Sequence, residues 1–476
     1  MNKERRHLNP FLKKVFIYFI GVFSTKILSL LLIPIYAYYV EESALGDFDY
    51  IVALVNIIAP LFYLTLWEAI LKLCIKEDDD EIKNKILSNV VFYFFFVSII
   101  AFFVFFVFLI VFNFDIKYFF ILAVFVLCGA TSLWQFAARA LKKNRVYVAS
   151  SIIGSITLIA VDVFFIKTSS LNFVGLCTAH ILSQFVIFLV IELFIRLFFK
   201  VRFKYIDLKL FKSMVIFCFP LAINSISLWA YTSGSKIIIE NFVGAAENGL
   251  YSFAAKFSIL ISLFSSILSM AVIEDAYSYE SLEIYRIKMR KIIGFISKGY
   301  FCLIFLALPA IFILYEIAFK NTGYFKSAEY IYFLLLTALF TALSNNFGSS
   351  FQVTNKTKYI LFTTIAGALV SIGLSFGLVS FLGIYGVLIG ATIGSFLMML
   401  LRAIYAYKAT GLKISWLCNI FVFIFTGIEW FVYKIDNSVY IQIVMFAVAA
   451  IVIAFLYRAE LSRLFIFLKK RGKSNE

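Results

Sequence analysis

Three lysines inside long apolar stretches are the residues in this sequence whose type and position suit chemistry. Lys26 lies within GVFSTKILSLLLIPIYAYYV, residues 21–40, and Lys236 and Lys256 lie in two later apolar stretches. Holding an ammonium ion at the centre of a bilayer costs about 2.5 to 3.5 kcal/mol. We expect Lys26 and Lys256 to lie near the middle of a membrane and to line a hydrated, positively charged cavity that suits an anionic ligand.

Polar neighbours accompany Lys256. Ser252 lies one helical turn before it, and a row of serines continues along an adjoining face of the predicted helix: Ser258, Ser262, Ser265 and Ser269. Water or a polar ligand solvates such a face, and lipid does not. The competing interpretation is that Lys26 and Lys256 extend their side chains to the membrane surface, or that each pairs with an acidic residue.

Three further ionisable residues have two interpretations each. Lys236 lies one turn before Glu240, so an interfacial ion pair and a contact to a bound ligand are both open for it. The acids Asp162 and Glu429 lie inside apolar stretches. Each is a candidate for binding a proton or a sodium ion, and each could equally neutralise one of the lysines.

The sequence contains no pattern typical of a metal or cofactor site. The only histidines are His7 and His180, and the six cysteines are scattered without the spacing of metal ligands. We therefore expect no metal and no cofactor. The loops on the outer side are short and carry no catalytic acid motif, so we expect the chain not to be an enzyme.

The composition indicates that membrane-spanning helices position these residues. Hydrophobic residues make up 63% of the 476 residues, and charged residues make up 15%. A soluble protein neither needs that much apolar surface nor builds its exterior from so few charges. We predict an all-α polytopic membrane protein with about 14 transmembrane helices, because apolar runs of about 20 residues recur along the chain. The first helix is predicted over residues 11–40. Later predicted helices include 46–73, 247–273 (the eighth), 358–381 and 384–408.

The basic residues fix the predicted orientation. With the N-terminus in the cytoplasm, 34 Lys and Arg residues fall on the cytoplasmic side, five fall in outer loops and four lie within helices. The positive-inside rule requires such an asymmetry, and it places both termini in the cytoplasm. The formal net charge of +16 follows from this orientation, so we do not expect nucleic acid as a partner.

The chain repeats itself at an offset that drifts upward from 203 residues. ALGDFDYIVAL resembles ENGLYSFAAKF, and two further pairs of segments match in the same order. The matched glycines are Gly46 with Gly249, Gly154 with Gly367, and Gly175 with Gly386. A repeat of six helices predicts two parallel six-helix lobes, residues 1–205 and 206–410, followed by two additional helices and a basic tail over residues 411–476.

Several of these segments together resemble a known family. They include LGDFDY at 45–50, TLWEAILKL at 65–73, RALKKNRVY at 139–147, and the glycine-rich helices that follow in each half. The chain resembles bacterial polysaccharide flippases of the Wzx type, which translocate O-antigen or capsule repeat units, in the multidrug/oligosaccharidyl-lipid/polysaccharide exporter superfamily. It departs from the family at Glu68, where small residues are usual, and in AVIEDAYSYE, which lacks the usual proline.

The resemblance implies a function and a location. It implies transport of undecaprenyl-pyrophosphate-linked oligosaccharide from the cytoplasmic to the outer leaflet of the bacterial inner membrane, by alternating access between two lobes. The cargo and membrane lipids are then the expected partners, with a polysaccharide polymerase as a further candidate, and the chain is expected to act as a monomer. A cationic cavity at Lys26 and Lys256 suits the pyrophosphate or acidic sugars.

Three alternatives remain open. A lipid II flippase has the same helix number and a cationic cavity, although that family usually carries more arginine there. A multidrug cation exporter is expected to have an acidic cavity, which Lys26 and Lys256 disfavour. A membrane glycosyltransferase or polymerase needs a large outer loop or a catalytic acid motif, and the sequence contains neither.

Overall fold

The computed structural model describes residues 32–74, 77–111, 116–168, 172–277, 281–354, 356, 358–411 and 417–458. Lys26 and most of the first predicted helix lie outside these residues. Every regular element in the described ranges is helical, and no strand occurs there. The all-α class predicted from the sequence is therefore confirmed.

The helices follow one another with short connections. The first nine are α1 (residues 32–39), α2 (Glu42–Phe62), α3 (Trp67–Cys74), α4 (Asp80–Val111), α5 (Ile116–Ala140), α6 (Asn144–Thr168), α7 (Phe173–Ile195), α8 (Leu197–Lys200) and α9 (Leu208–Phe242). The remainder are α10 (Ala245–Ala255), α11 (Ile259–Tyr277), α12 (Leu282–Leu314), α13 (Ile331–Val353), α14 (Lys358–Leu382), α15 (Ile384–Thr410), α16 (Leu417–Ile435) and α17 (Val439–Leu456).

The length and composition of these helices identify a multi-pass membrane protein. In the part of the chain that the structure describes, nine helices are long and apolar enough to cross a membrane. They are Glu42–Phe62, Asp80–Val107, Lys117–Ala140, Asn144–Thr168, Phe173–Ile195, Glu283–Phe319, Gly323–Gly348, Lys358–Leu382 and Ile384–Thr410. Further helices, among them α9, α11, α16 and α17, accompany these nine, as the prediction of a polytopic protein requires.

The second predicted helix, 46–73, is divided in the structure. It breaks at Tyr63–Leu66, and the prediction of one continuous helix is wrong there. Leu64 and Thr65 adopt left-handed backbone conformations with φ of 52° and 48°. Such conformations cost a non-glycine residue about 1 to 3 kcal/mol unless the surroundings hold them. The Tyr93 hydroxyl donates to the Phe62 carbonyl at 2.8 Å and thereby satisfies one group that the break exposes.

The helices form two compact units, which we describe separately. The first unit is Pro34–Gly249 and the second is Leu250–Glu476 together with Met1–Ile33. Within the first unit, α6 packs along α7, α2 packs along α9, and α5 contacts α2, α3 and α7. Within the second unit, α15 packs between α13 and α14, while α12 contacts α16 and α17. The lobe boundaries at residues 205 and 410 come from the repeat and stay a prediction.

One pair of repeat-matched glycines has the same packing role in both units. A Cβ atom at Gly154 of α6 would lie 2.4 Å from the Ile187 side chain of α7. A Cβ atom at Gly367 of α14 would lie 2.9 Å from the Met398 Cβ atom of α15. Each glycine lets its helix approach the next helix closely. The equivalence supports the internal repeat that the sequence predicts.

Candidate functional site

Another repeat-matched pair, Gly46 and Gly249, meets face to face in the first unit. A Cβ atom at Gly46 of α2 would lie 1.8 Å from the Ala245 carbonyl oxygen, and one at Gly249 of α10 would lie 1.7 Å from the Glu42 carbonyl oxygen. Real Cβ atoms do not approach a backbone oxygen so closely, so only glycine permits this contact. The charge count predicts that these helix ends face the outer side of the membrane.

Charged side chains surround this glycine contact. Lys236 of α9 forms an ion pair with Asp49 of α2 at 2.9 Å, and both side chains are largely buried. Lys117 of α5 forms a second ion pair with Asp47. Asn248 donates to the Gly46 carbonyl at 3.0 Å and to Glu240 at 2.9 Å. We call these residues, with Gly46 and Gly249, the outer cluster.

The ion pair between Lys236 and Asp49 bears on the prediction that Lys236 contacts a ligand. In this conformation the ammonium group already has an acidic partner, as the alternative interpretation supposed, although the partner is Asp49 and not Glu240. A ligand contact at Lys236 stays a prediction. It would require Lys236 to leave Asp49 during the transport cycle.

A double-mutant cycle measures how much this ion pair contributes to stability. We expect Lys236→Gln to lower the melting temperature of the purified protein, because it leaves Asp49 partly buried without its counter-charge. Asp49→Asn in the same chain is expected to recover much of the loss, with a coupling energy of about 0.5 to 3 kcal/mol.

The control for this cycle is Lys85→Gln, which removes the exposed pair between Lys85 and Glu81 and should change stability little. Additive effects of Lys236→Gln and Asp49→Asn would contradict a stabilising pair. Such additivity would favour Lys236 as a residue reserved for ligand.

Lys256 lies at an interruption within the eighth predicted helix. The sequence predicts one helix over 247–273, but the structure has a 3₁₀ turn at Lys256–Ser258 between α10 and α11. Turns of this kind within a helix often mark a hinge or a functional position. The turn packs against α13, and the Lys256 side chain is half-buried. Whether Lys256 contacts a ligand stays a prediction.

The serine row beside Lys256 has a structural explanation. Ser258 and Ser262 donate to carbonyl oxygens of their own helix, and Ser265 hydrogen bonds to Tyr300 of α12. Ser269 lies 3.4 Å from the Asn346 side chain of α13. Hydrogen bonds of both kinds are common in membrane helices. The serines therefore do not by themselves indicate a hydrated face, and the cationic-cavity prediction depends on the lysines.

The acids inside apolar stretches differ in their partners. Asp162 of α6 is fully buried and accepts a hydrogen bond from the Tyr36 hydroxyl at 3.2 Å. Glu192 accepts from the Trp134 indole at 2.7 Å and from two backbone N–H groups at the start of α8. Glu429 of α16 is also fully buried, but neither of its oxygens has a hydrogen-bond partner among the described residues.

Sequence reasoning missed one buried cation. Arg402 was not among the cations singled out from the sequence, yet in α15 it is only 5% exposed. Its guanidinium donates to Thr363 at 3.1 Å, to Thr364 at 2.9 Å and to Asn345 at 3.3 Å. Its place inside an apolar run is the same signal that singled out Lys236 and Lys256. Its neutral partners belong to other helices, and only the fold brings them together.

The requirements of a metal site bear on the described acidic residues and on the outer cluster. Within them, no group of three or more His, Cys, Asp or Glu side chains is arranged to hold a metal ion. The outer cluster brings together Asp47, Asp49, Lys117, Lys236 and Glu240, so it combines acidic with basic groups. Its chemistry suits reversible ion pairing between helices.

Comparison with known families gives one match. Residues 11–273, more than half of the chain, match the family model described as polysaccharide biosynthesis protein. No curated protein matches the sequence at a significant level.

Comparison with solved structures identifies the fold. The lipid II flippase MurJ, in an inward closed conformation, aligns with a TM-score of 0.69 at 17% identity, over 94% of this chain and all of that one (100%). An inward-facing multidrug resistance MATE transporter of the MOP superfamily aligns with a TM-score of 0.63 at 16% identity, over 81% of this chain and 94% of that one.

A third solved structure is a MOP-superfamily transporter from Pyrococcus furiosus, described by a binding pocket of reverse polarity that suggests a different function. It aligns with a TM-score of 0.53 at 17% identity, over 85% of this chain and 96% of that one. At these identities the three comparisons show a shared fold, that of the MOP superfamily.

Proposed function

Because this chain belongs to the polysaccharide biosynthesis protein family, we propose that it is a flippase for undecaprenyl-pyrophosphate-linked oligosaccharide repeat units. It moves them from the cytoplasmic to the outer leaflet of the bacterial inner membrane, with both termini in the cytoplasm. The cargo belongs to an O-antigen, lipopolysaccharide or capsule pathway. The family match over residues 11–273 is the observation that carries this proposal.

The fold supports a transporter of this kind. MurJ is described as a flippase for lipid II, and it shares the fold of nearly the whole chain. A lipid-linked cargo needs a protein that offers a polar path for its head group while its lipid tail stays in the bilayer. Two repeats of parallel helices with a path between them are typical of such transporters.

Lys26 and Lys256 are the residues that we propose bind the cargo. A pyrophosphate carries several negative charges, and an ammonium group in a low-dielectric setting binds such charges strongly. Lys256 lies in the 3₁₀ turn between α10 and α11, where the helix can change shape as the cargo binds. A cargo contact by Lys236 needs a conformation in which its pair with Asp49 is broken.

The outer cluster supports alternating access. Gly46 and Gly249 hold the outer ends of α2 and α10 in backbone contact, and the pair between Lys236 and Asp49 reinforces it. A head group that leaves toward the outer side requires those helix ends to separate. Ion pairs and a glycine contact without interlocking side chains can break and re-form with little rearrangement.

Two other transporter functions have specific support. The MurJ alignment favours lipid II as an alternative cargo, because lipid II is also a lipid-linked pyrophosphate sugar. The MATE alignment favours a multidrug exporter. Lys256 disfavours the exporter, since a cationic drug binds poorly beside a lysine.

Reconstitution separates the three candidates. The purified full chain is placed in liposomes that contain one of two fluorescent cargoes, an undecaprenyl-pyrophosphate oligosaccharide or lipid II. A periplasmic glycan-binding protein outside the liposomes reports arrival at the outer leaflet, and uptake of a fluorescent cation tests drug export. We expect translocation of the oligosaccharide in preference to the other two. Selective movement of lipid II would contradict the proposal and favour a lipid II flippase, and selective movement of the cation would favour a multidrug exporter.

A further inference from the structure

Glu429 has an environment unlike that of any other buried acid that the structure describes in its unit. Its side chain is 0% exposed, and neither carboxyl oxygen has a hydrogen-bond partner among the described residues. Glu316 in the same unit is also almost fully buried, but it forms an ion pair with Lys320 at 3.2 Å. Glu329 accepts a hydrogen bond from Tyr385 and lies 3.4 Å from Lys434.

The surroundings of Glu429 are aromatic. One turn before it, Phe425 contacts Phe305 of α12 with ring centroids 6.0 Å apart. One turn after it, Tyr433 stacks on Phe312 of α12 at 3.9 Å. Residues four apart share a helix face, so Glu429 lies between these two contacts against α12. An ionised carboxylate is strongly disfavoured in such a place, and the packing accommodates the neutral acid.

The part of α12 opposite Glu429 is suited to bending. Pro309 lies within α12 between Phe305 and Phe312. A proline removes one backbone hydrogen bond, and helices kink at such positions. A charge that appears on Glu429 would draw water toward this contact. The proline lets α12 respond to that change by bending without losing further hydrogen bonds.

A pocket lies beside the C-terminal end of α16, on the same helix as Glu429. It has a volume of about 340 Å³ and is lined by Tyr433, Lys434, Glu329 and Asn437 among others. Lys434 is one of the five lysines that the charge count places on the outer side. Tyr433 is one turn from Glu429, about 6 Å along the helix axis. The lining of the pocket therefore begins one helical turn from Glu429 along α16.

The other ionisable groups packed around this region have partners of their own. On α12 and the π-helical turn that follows it, Tyr315 hydrogen bonds to Ser327 and Glu316 pairs with Lys320. On α13, Tyr332 stacks on Trp430. Helix α17 carries no charged side chain. The groups that face this packing or line the pocket are Tyr315, Glu316, Lys320, Lys326, Glu329, Tyr332, Tyr433 and Lys434.

The donor set around Glu429 suits a proton and not a metal cation. Sodium and other hard cations need several oxygen ligands at once. The contacts that flank Glu429 on its helix face are aromatic rings, and within the described residues no group of three or more His, Cys, Asp or Glu side chains is arranged to hold a metal ion. A proton needs only one carboxylate oxygen, on which it forms an O–H bond and cancels the charge.

We propose that Glu429 is a proton-binding site that is loaded from the outer face through the pocket beside Tyr433. The carboxylate takes a proton from water in the pocket, and the neutral acid then packs against α12 near Pro309. Loss of the proton loosens this contact. If the flippase function proposed above holds, on which this last step rests, the site couples inward proton movement to the transport cycle.

Infrared spectroscopy tests the proton site without any cargo. The full chain in lipid nanodiscs is titrated with pH, and the carbonyl stretch of a neutral carboxylic acid is recorded. We expect a component of this band that persists well above the pH at which exposed acids ionise, and we expect Glu429→Gln to remove that component. Glu283→Gln, at an exposed acid at the start of α12, is the matched control and should leave the band unchanged. A band that Glu429→Gln leaves unchanged would overturn the proposal.

The route is tested by blocking the pocket. Asn437→Cys places a thiol in the pocket lining, and a bulky impermeant thiol reagent then fills the pocket. After a jump in outer pH, we measure the rate at which the neutral-acid band appears or disappears. We expect this rate to be at least about tenfold lower in the labelled protein than in the unlabelled variant. Equal rates with and without the label would overturn loading from the outer face.

A transport assay tests whether proton binding at Glu429 is coupled to cargo movement. In proteoliposomes, we expect outer acidity to accelerate cargo movement by the wild type and by Glu283→Gln, and to have no effect on Glu429→Gln. An equal response of Glu429→Gln would overturn coupling at this residue. Failure of the cargo assay for every variant would instead count against the proposed function, and the infrared result would still decide the proton site.

Discussion

Gly249→Ala is expected to reduce transport by at least about tenfold, and Gly46→Ala is expected to do the same. At Gly249 the added methyl carbon would lie 1.7 Å from the Glu42 carbonyl oxygen, so the backbones of α2 and α10 must separate. Overpacking of this kind costs about 1 to 3 kcal/mol even against side chains that can move. The substitutions therefore disfavour the conformation in which the outer cluster is assembled, which alternating access must visit in every cycle.

The measurement is the cargo translocation rate at matched amounts of folded protein, with the melting temperature recorded in parallel. Gly299→Ala is the control, because a Cβ atom at that position in α12 meets no atom within 4 Å. We expect it to transport normally. The effects of Gly46→Ala and Gly249→Ala should also be far from additive in the double variant, since both act on one contact. Normal transport by either single variant would contradict this role of the outer cluster.

Lys256→Gln is expected to lower transport of the pyrophosphate-linked cargo by at least about tenfold, or about 1.4 kcal/mol. Glutamine keeps most of the length and polarity of lysine but lacks the charge that attracts phosphate oxygens. Lys256→Arg should retain much more activity, because guanidinium also binds phosphate. Uptake of a neutral lipid analogue without phosphate should respond little to either change.

The matched control for Lys256 is Lys298→Gln. Lys298 of α12 lies over the Tyr457 ring at 5.7 Å, nearer the cytoplasmic end, and we expect its loss to have little effect on cargo movement. Equal losses from Lys256→Gln and Lys298→Gln would show that general positive charge is what matters. Normal transport by Lys256→Gln, at a normal level of folded protein, would remove Lys256 from the cargo site.

Much of the fold could be predicted from the sequence because each membrane helix corresponds to a long apolar run. The family and the all-α polytopic class are confirmed, and α14 and α15 begin where the sequence predicts helices to begin. The break at Tyr63–Leu66 could not be predicted, since neither Leu64 nor Thr65 favours a left-handed conformation. Tertiary contacts, such as the stacking of Tyr63 on Phe94 and Phe125, hold that turn.

The candidate site was predictable in part. An ionisable residue in an apolar run is visible in the sequence, which is why Lys236, Lys256 and Glu429 stand out. The partners of such a residue are not visible in the sequence, because they come from distant parts of the chain. Asp49, for example, pairs with Lys236 although 187 positions separate them. The isolation of Glu429 is likewise a property of packing. Arg402 also lies inside an apolar run, so its burial could have been suspected, but its partners on α13 and α14 could not.

The most direct test of the proposed flippase is the fate of its cargo in cells. The gene is deleted in the source bacterium, and the lipids are extracted after the accessibility of each leaflet has been probed. We predict that undecaprenyl-pyrophosphate oligosaccharide accumulates on the cytoplasmic face while the surface polysaccharide disappears, and that the intact gene, but not its Lys256→Gln variant, reverses both changes. Unchanged surface polysaccharide without accumulation, together with new sensitivity to cationic drugs, would contradict the account and favour a drug exporter.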